Sequence, residues 1–322
     1  MNLRYMMKNF IIAGLTLSFF LQSGCRSNRN PATRQIIVFH AGSLSVPLKR
    51  AADEYERRNP GIHVLLEPAG SLVCARKITE LKKPCDIIAS ADYFVIDKML
   101  IPEYTLWSIR FATNEIVIAY QKKSKYSTEI DSSNWSDILL RDDVTYGRSD
   151  PDSDPGGYRA VFTCKLAEKY YNNPGLASKL LSKDTEFIRP KEVDLVALVQ
   201  ANAIDYMFQY KSVAVQHDLK YIELPDEINL GDPLYNNLYN SVSLEVSEDT
   251  PGSKMVVAGE YINYSMSVLS GAVNKAGAID FVSFLLSDAG EGIFRENGQD
   301  PLSPAICDQP DKVPDVLKKF LK

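Results

Sequence analysis

The order of short apolar segments, small-residue turns and amphipathic segments that begins at Gln35 restricts the fold more than any other feature. The predicted elements are, in chain order, strand Gln35–Phe39, helix Val46–Arg58, strand His63–Glu67, helix Leu72–Lys82 and strand Asp86–Ala89. The strands are rich in β-branched residues, and the helices carry apolar residues at helical spacing. Because parallel strands need a crossover connection, usually a helix, this order predicts a parallel sheet covered by helices.

A second set of alternating elements predicts a second lobe. It comprises strand Glu115–Tyr120, helix Trp135–Leu140, a strand near Thr145–Gly147, helix Tyr158–Tyr171, helix Val193–Asn202, a strand reached through Ala203–Gln209, and strand Tyr221–Leu224. Strand Tyr261–Leu269 and helix Ala276–Leu286 then return to the first lobe. We predict an α/β protein of two similar lobes, each a mostly parallel sheet flanked by helices, with a hinge between them. Lobe 1 comprises residues 35–112 and 265–322, and lobe 2 comprises residues 113–264.

The N-terminal segment is typical of an exported protein. Met1–Gly24 contains two basic residues, an apolar run at Phe10–Leu21, and small residues directly before Cys25. The apolar run is too short for a membrane-spanning helix, so residues 1–24 are predicted to be a signal peptide. Cys25 then becomes the lipidated first residue, and residues 25–34 form a polar tether that holds the protein outside the cytoplasm at a membrane. The alternatives are an uncleaved anchor helix and a signal without lipid.

The charge and the cysteines bear on the class of partner. Loss of Arg4 and Lys8 with the signal peptide changes the formal charge from -5 to -7. The mature chain has no run of lysine or arginine, which disfavours nucleic acid as a partner. Four cysteines remain after Cys25, and this even number is compatible with one or two disulfides of unassigned pairing: Cys74, Cys85, Cys164 and Cys307. The histidines are far apart in the sequence, which disfavours a zinc site.

Two turns between a strand and a helix are suited to binding an anion. Gly42-Ser43 follows the first predicted strand, and Gly70-Ser71 follows the second. The first N–H groups of a helix have no partner inside the helix, and this end of the helix carries partial positive charge. Serine hydroxyls and these N–H groups together can hold an anion without lysine or arginine. The alternative is that Ser43 and Ser71 only cap their helices.

Two acidic residues also precede predicted helices. Asp154 lies in the aspartate-rich run Asp150–Gly157, and Glu192 stands directly before the helix Val193–Asn202. The structural alternatives are an N-cap for Asp154 and a favourable charge in the first helical turn for Glu192. The aspartate-rich run also raises the alternative of calcium, although it lacks the loop with a closing glutamate that an EF-hand requires.

Four segments are the most distinctive parts of the sequence: Phe39–Ser45 (FHAGSLS), Ser149–Arg159 (SDPDSDPGGYR), Arg189–Glu192 (RPKE) and Tyr210–His217 (YKSVAVQH). Together they resemble the periplasmic tungstate/molybdate-binding proteins of ABC importers, in particular their archaeal-type branch. The similarity extends from about Ile36 to Pro304. It implies a two-lobe type II periplasmic-binding fold and a monomer that closes on one oxyanion, without a cofactor, and delivers it to an ABC permease.

Position by position, the resemblance implies these oxyanion-binding residues: Gly42, Ser43, Ser71, Asp154, Pro155, Gly156, Glu192 and Tyr210. Asp154 and Glu192 would approach the tungsten or molybdenum atom itself. A large metal centre without d electrons accepts additional oxygen ligands, whereas the sulfur of sulfate and the phosphorus of phosphate do not readily do so. The two carboxylates would therefore select against sulfate and phosphate. The chain departs from the family at Gly156, where relatives carry cysteine.

Two other functions remain open on the sequence. A binding protein for sulfate, phosphate or another tetrahedral anion would share the fold, although such anions gain little from facing ionised carboxylates. A periplasmic hydrolase would use Ser43 as nucleophile and Asp154 or Glu192 as base. The hydrolase is disfavoured because the chain has no Gly-x-Ser-x-Gly motif and offers only His40 as a nearby partner for Ser43.

Overall fold

A computed structural model describes residues 34–183, 185–247 and 252–322 of the protein. The predicted signal peptide, Cys25 and the tether up to residue 33 lie outside the described residues. The strands are β1 Gln35–Ala41, β2 His63–Ala69, β3 Ile87–Ser90, β4 Ile109–Asn114, β5 Ile116–Tyr120, β6 Tyr146–Ser149, β7 Ile188–Arg189, β8 Tyr206–Tyr210, β9 Lys220–Glu223, β10 Ser243–Ser247, β11 Lys254–Ala258, β12 Ile262–Val268 and β13 Asp300–Ile306.

The described α-helices alternate with these strands over most of the chain. They are α1 Ser45–Arg58, α2 Ser71–Thr79, α3 Tyr93–Met99, α4 Trp135–Leu139, α5 Pro155–Tyr170, α6 Leu176–Lys183, α7 Glu192–Gln200, α8 Lys211–Gln216, α9 Asp226–Asn229, α10 Asn236–Tyr239, α11 Lys275–Leu285, α12 Asp288–Glu296 and α13 Asp315–Lys318. Within the described ranges, no helix has the length and apolar character needed to cross a bilayer.

Two separate sheets form the two lobes. The first sheet has the strand order β13-β4-β12-β3-β1-β2, and the second has the order β7-β6-β8-β5-β9. The chain passes from the first sheet to the second through Glu115, which lies between β4 and β5, and it returns to the first sheet at β12. The predicted division of the lobes at residues 112/113 and 264/265 thus falls inside β4 and β12.

Both sheets are mixed, which corrects the expectation of mostly parallel sheets. In the first sheet β1 is parallel to β2 and β3, whereas β12 is antiparallel to β3 and β4, and β13 is antiparallel to β4. In the second sheet β6 is parallel to β7 and β8, whereas β5 is antiparallel to β8 and β9. Strands joined by local βαβ crossovers are parallel, as predicted, but β5 and β12 enter from the other lobe without such a crossover.

The parallel strands place their carboxyl ends, and the turns that follow them, at the edge of each sheet that carries the polar residues. Strands β1 and β3 are buried, with Val38 and Ile88 fully inaccessible to solvent. Such strands are covered by helices on both faces, so a ligand reaches the sheet only at the ends of its strands. In this chain those ends are Ala41, Ser90 and, in the second lobe, Tyr210.

The cysteines differ from the expectation of one or two disulfides. Within the described part of the chain, Cys74, Cys85, Cys164 and Cys307 form no disulfide with one another, and the first three are buried. Burial raises the pKa of the Cys74 thiol to about 12, so this group stays protonated and behaves as a small apolar side chain.

Candidate functional site

Two buried carboxylates of the second lobe meet the first lobe at Ser43. Asp154 and Glu192 are 0% and 1% exposed. The backbone N–H of Glu192 donates to Oδ2 of Asp154 at 3.0 Å, and the N–H of Ser43 donates to Oε1 of Glu192 at 2.5 Å. The fold thus joins three of the sequence-predicted residues through successive hydrogen bonds.

Asp154 has two structural roles at once. It is the N-cap of α5, with extended backbone, and its Oδ1 accepts from the N–H of Gly156 at 3.3 Å. Pro155 occupies the first turn of that helix, where its missing N–H costs nothing. The capping alternative is therefore correct for Asp154, but its second oxygen still reaches the start of α7 and orders Glu192.

Glu192 opens α7, and its carboxylate is only half satisfied. Oε1 accepts from Ser43, whereas Oε2 is buried and has no hydrogen-bond partner among the described residues. The backbone carbonyl of Glu192 accepts from Nε2 of Gln209 at 2.9 Å, which fixes the start of the helix. Burial, and next the negative charge of Asp154, raise the pKa of Glu192 well above its usual range.

Ser43 belongs to a short 3₁₀ turn, Gly42–Leu44, between β1 and α1. Its hydroxyl accepts from the Tyr264 hydroxyl at 3.0 Å and caps no helix. Gly42 leaves room for the carboxylate of Glu192, because a Cβ at this position would lie 3.1 Å and 3.2 Å from its two oxygens. The capping alternative is therefore wrong for Ser43.

Ser71 begins α2 directly after Gly70, which is the N-cap of that helix. The Ser71 hydroxyl accepts from the N–H of Ala91 at 3.0 Å and makes no capping hydrogen bond. A Cβ on Gly70 would lie 2.1 Å from the carbonyl oxygen of Ser153, so only glycine allows the lobes to approach here. Ser71 is thereby placed next to the loop that leads into Asp154.

Tyr210 ends β8 and is fully buried. Its hydroxyl accepts from Nη1 of Arg159 at 2.8 Å, and burial raises the pKa of Tyr210 well above its usual range. The hydroxyl therefore keeps its proton and remains a donor. The negative charges of Asp154 and Glu192 also raise the pKa of Tyr210, so both carboxylates lie close enough to Tyr210 to interact with it electrostatically.

Sequence reasoning did not single out three further buried residues at this site: Tyr264, Arg159 and Asp92. Tyr264 lies on β12, and only the sheet order brings it to Ser43. Arg159 was inside a distinctive segment, yet an anion site without arginine was expected. Asp92 caps α3 and also pairs with Arg159 at 3.1 Å.

The hydrolase alternative gains no support from the position of His40. Its Nδ1 lies 2.7 Å from the carbonyl oxygen of Ala41, and burial lowers the pKa of His40 to about 4. The imidazole ring is therefore neutral at physiological pH, and its Nδ1 is hydrogen-bonded to the backbone. The Ser43 hydroxyl is hydrogen-bonded to Tyr264 instead. Ser43 thus has no histidine base among its hydrogen-bond partners in the described part of the chain.

The aspartate-rich run is held by contacts within the protein. Asp150 accepts from the N–H of Asp152 and from the hydroxyl of Ser153, and Asp152 accepts from the N–H of Ser247. In the residues that the structure describes, no group of three or more histidine, cysteine or acidic side chains is arranged to hold a metal ion.

The sequence matches the family described as "Bacterial extracellular solute-binding protein" over residues 36–299. An uncharacterized solute-binding protein of Petrotoga mobilis is 46% identical over 291 residues, which are 90% of this chain and 91% of the relative. The molybdate/tungstate-binding protein WtpA of Pyrococcus abyssi is 41% identical over 327 residues, which cover 92% of this chain and 94% of the relative. The periplasmic molybdate-binding protein of Azotobacter vinelandii has a similar fold, with a TM-score of 0.61 at 16% identity, over 82% of this chain and 98% of that one.

These similarities confirm the predicted α/β fold with two sheets flanked by helices. They extend over nearly the whole described chain and over nearly the whole length of the relatives. The protein is therefore a member of the bacterial extracellular solute-binding protein family.

Proposed function

We propose that this protein binds tungstate or molybdate between its two lobes and delivers the oxyanion to an ABC permease, without catalysis. The pair Asp154 and Glu192 is the observation that carries this proposal. Two carboxylates buried side by side are unfavourable unless a proton or an electrophilic centre lies between or beside them. The metal of a tungstate or molybdate ion is such a centre, and the unpartnered Oε2 of Glu192 is free to approach it.

The neutral donors around this pair suit the oxygens of the same ion. The N–H of Ser43 already binds a carboxylate oxygen, which supports its role as an anion donor. We assign the remaining oxyanion contacts to the hydroxyls of Ser43, Ser71 and Tyr210 and to the backbone at Gly42 and at Pro155-Gly156. Each charge-assisted hydrogen bond contributes about 1.5–3 kcal/mol, so several of them hold a dianion without a direct contact from lysine or arginine.

The proposal also covers where the protein works. Its family is extracellular, and we propose that Cys25 carries a lipid anchor, that residues 1–24 are removed, and that the mature protein is a monomer. We place the two lobes at residues 35–114 with 262–322 and at residues 115–261, which moves the predicted boundaries to the ends of the first-sheet strands β4 and β12. Closure of these lobes around the oxyanion would present one defined surface to the permease.

Titration calorimetry with tungstate, molybdate, sulfate and phosphate tests the function. We expect tight binding of the first two ions and a matching rise in the melting temperature, because a ligand that binds only the folded state stabilises it by RT ln(1 + [L]/Kd). Glu192→Gln should lose much of the preference for tungstate over sulfate, since an amide is a poorer ligand for the metal centre than a carboxylate oxygen. Tight sulfate or phosphate binding by the unmodified protein, without tungstate binding, would contradict the proposal. Unchanged tungstate affinity in Glu192→Ala would remove the carboxylate from the mechanism.

A further inference from the structure

Arg159 is a buried cation that joins the two lobes. It lies on α5 of the second lobe and is 3% exposed. Its Nη1 donates to the carbonyl oxygen of Ala91 at 2.7 Å, and its Nη2 lies 3.1 Å from Oδ2 of Asp92. Ala91 and Asp92 follow β3 of the first lobe, so the guanidinium crosses the boundary between the lobes.

The same guanidinium contacts the binding site. Nη1 of Arg159 also donates to the Tyr210 hydroxyl at 2.8 Å. Ala91, whose carbonyl accepts from Arg159, donates its own N–H to the hydroxyl of Ser71 at 3.0 Å. A continuous set of hydrogen bonds thus joins Ser71 of the first lobe to Tyr210 of the second.

The charges explain why this arrangement depends on closure. A buried guanidinium is stable only when it is paired, and the carboxylate that pairs with it, Asp92, belongs to the other lobe. The hydroxyl of Tyr158, beside Arg159 on α5, also donates to Asp92. If the lobes separate, Arg159 loses its contacts with Asp92 and Ala91 together. It keeps only its hydrogen bond to Tyr210, which belongs to the same lobe.

We propose that Arg159 is a positioning residue that orients the Tyr210 hydroxyl toward the oxyanion when the two lobes close. This inference rests on the proposed function. The guanidinium occupies one side of the Tyr210 oxygen as a donor, so the hydroxyl proton is directed elsewhere. Asp92 and Ala91 hold the guanidinium in this place only in the closed arrangement.

Another arginine provides a matched comparison. Arg76, on α2 of the first lobe, donates to the carbonyl oxygens of Asp152 at 2.7 Å and Ser247 at 2.5 Å, so it also crosses between the lobes. No hydrogen bond links Arg76 to Tyr210 among the described residues. Arg76→Lys therefore changes a cross-lobe arginine without changing the position of the Tyr210 hydroxyl.

A double-mutant cycle on tungstate binding tests the inference. Arg159→Lys, which keeps the charge but loses the bridging geometry, should weaken binding by about tenfold or more, mainly through faster dissociation. In the Tyr210→Phe background the loss caused by Arg159→Lys should fall to about threefold or less, because the hydroxyl that it positions is gone. The effects of Arg76→Lys and Tyr210→Phe should simply add. Equal losses from Arg159→Lys with and without the Tyr210 hydroxyl would overturn the inference.

Asp92→Asn tests the same inference from the first lobe. Asparagine remains a good N-cap for α3, so the fold is retained while the negative charge that faces Arg159 is removed. We expect faster tungstate dissociation than in Asp232→Asn, whose aspartate likewise accepts from a backbone N–H two residues later but forms no ion pair with an arginine in the described part of the chain. Identical dissociation rates in these two variants would contradict the role of Arg159.

The two proposals fail in different ways. If the unmodified protein binds sulfate or phosphate but not tungstate, the proposed function is wrong and the cycle is measured with the ion that binds. If tungstate binds and the cycle is additive, only the role of Arg159 is wrong. If none of the ions binds, both proposals are wrong. Melting temperatures measured without any oxyanion identify variants that have simply lost stability.

Discussion

The two lobes contribute different chemistry to the candidate site. The first lobe provides neutral groups at the ends of parallel strands, namely the Ser43 turn after β1 and the Ser71 helix start after β2. The second lobe provides the acids Asp154 and Glu192, and also the Tyr210 hydroxyl with its buried arginine. If the proposed function is correct, the first lobe binds any small anion and the second lobe selects the anion that is retained.

The largest effect is expected from substitution of Asp154, which caps α5 and accepts a hydrogen bond from the N–H of Glu192. Asp154→Ala should lower tungstate affinity by about a hundredfold, because it removes both a proposed ligand of the metal and the group that accepts from the N–H of Glu192. It should also cost about 1 kcal/mol of stability through the lost N-cap. Calorimetry and thermal melts measure the two effects. Asp154→Asn is the matched control, since it keeps the cap and loses the charge, and equal affinity of Asp154→Asn and the unmodified protein would contradict the role of the charge.

The second prediction concerns the pH dependence of stability without oxyanion. Because the pKa of Glu192 is raised in the folded state, the folded protein holds this proton more tightly than the unfolded chain does. Stability conferred by the protonated group is present below the unfolded pKa and is lost as the pH rises toward the folded pKa, by about 1.4 kcal/mol for each pH unit within that window. Glu192→Gln has no such proton to lose. Its free energy of unfolding, relative to that of the unmodified protein, should therefore rise from mildly acidic to neutral pH.

Chemical unfolding at several pH values checks that prediction. Glu103→Gln, at an exposed position, is the matched control, because it makes the same substitution and leaves the buried Glu192 in place. If the free energies of unfolding of Glu192→Gln and the unmodified protein stay parallel across the range, Glu192 does not titrate as proposed.

An intermediate effect is expected where the two lobes touch. In Gly42→Ala the new Cβ would lie 3.1–3.2 Å from the oxygens of Glu192, so the carboxylate must shift and its contact with the N–H of Ser43 weakens. We expect about a tenfold loss of tungstate affinity, in line with the loss of one charge-assisted hydrogen bond. Gly271→Ala is the control, because a Cβ there meets no atom within 4 Å. Equal affinities of the two variants would show that the close approach at Gly42 is unimportant.

The smallest effect is expected in the first lobe. Ser43→Ala removes one hydroxyl but keeps the backbone N–H that contacts Glu192, so tungstate affinity should fall by only about threefold to tenfold. Sulfate and tungstate affinities should fall by similar factors, since this donor does not discriminate between anions. A selective loss of tungstate binding in Ser43→Ala would contradict the proposed division between the lobes.

Local patterns in the sequence predicted the elements that carry the site. The first five predicted elements correspond to β1, α1, β2, α2 and β3, with ends that differ by a few residues. The strand-turn-helix connections at Ser43 and Ser71 were predicted because turn residues and apolar periodicity act over short distances. Strand β13 and the hairpin β10–β11 were not predicted. Helix α12 was not predicted either, and it begins two residues after the end of the predicted helix Ala276–Leu286. Strands β10, β11 and β13 each include exposed residues, so burial constrains their sequences less than it constrains that of β12.

By itself, the sequence determined which residue types stand at the strand ends and helix starts, and its distinctive segments pointed to the family. Only the tertiary structure decided which of them meet. The contact between Ser43 and Glu192 joins positions 149 residues apart, and that between Ser43 and Tyr264 joins positions 221 residues apart. The partners of Arg159 were likewise set by the packing of one lobe on the other. Such contacts depend on sheet order and lobe packing, which arise from the summed burial of many side chains and leave no local pattern in the chain.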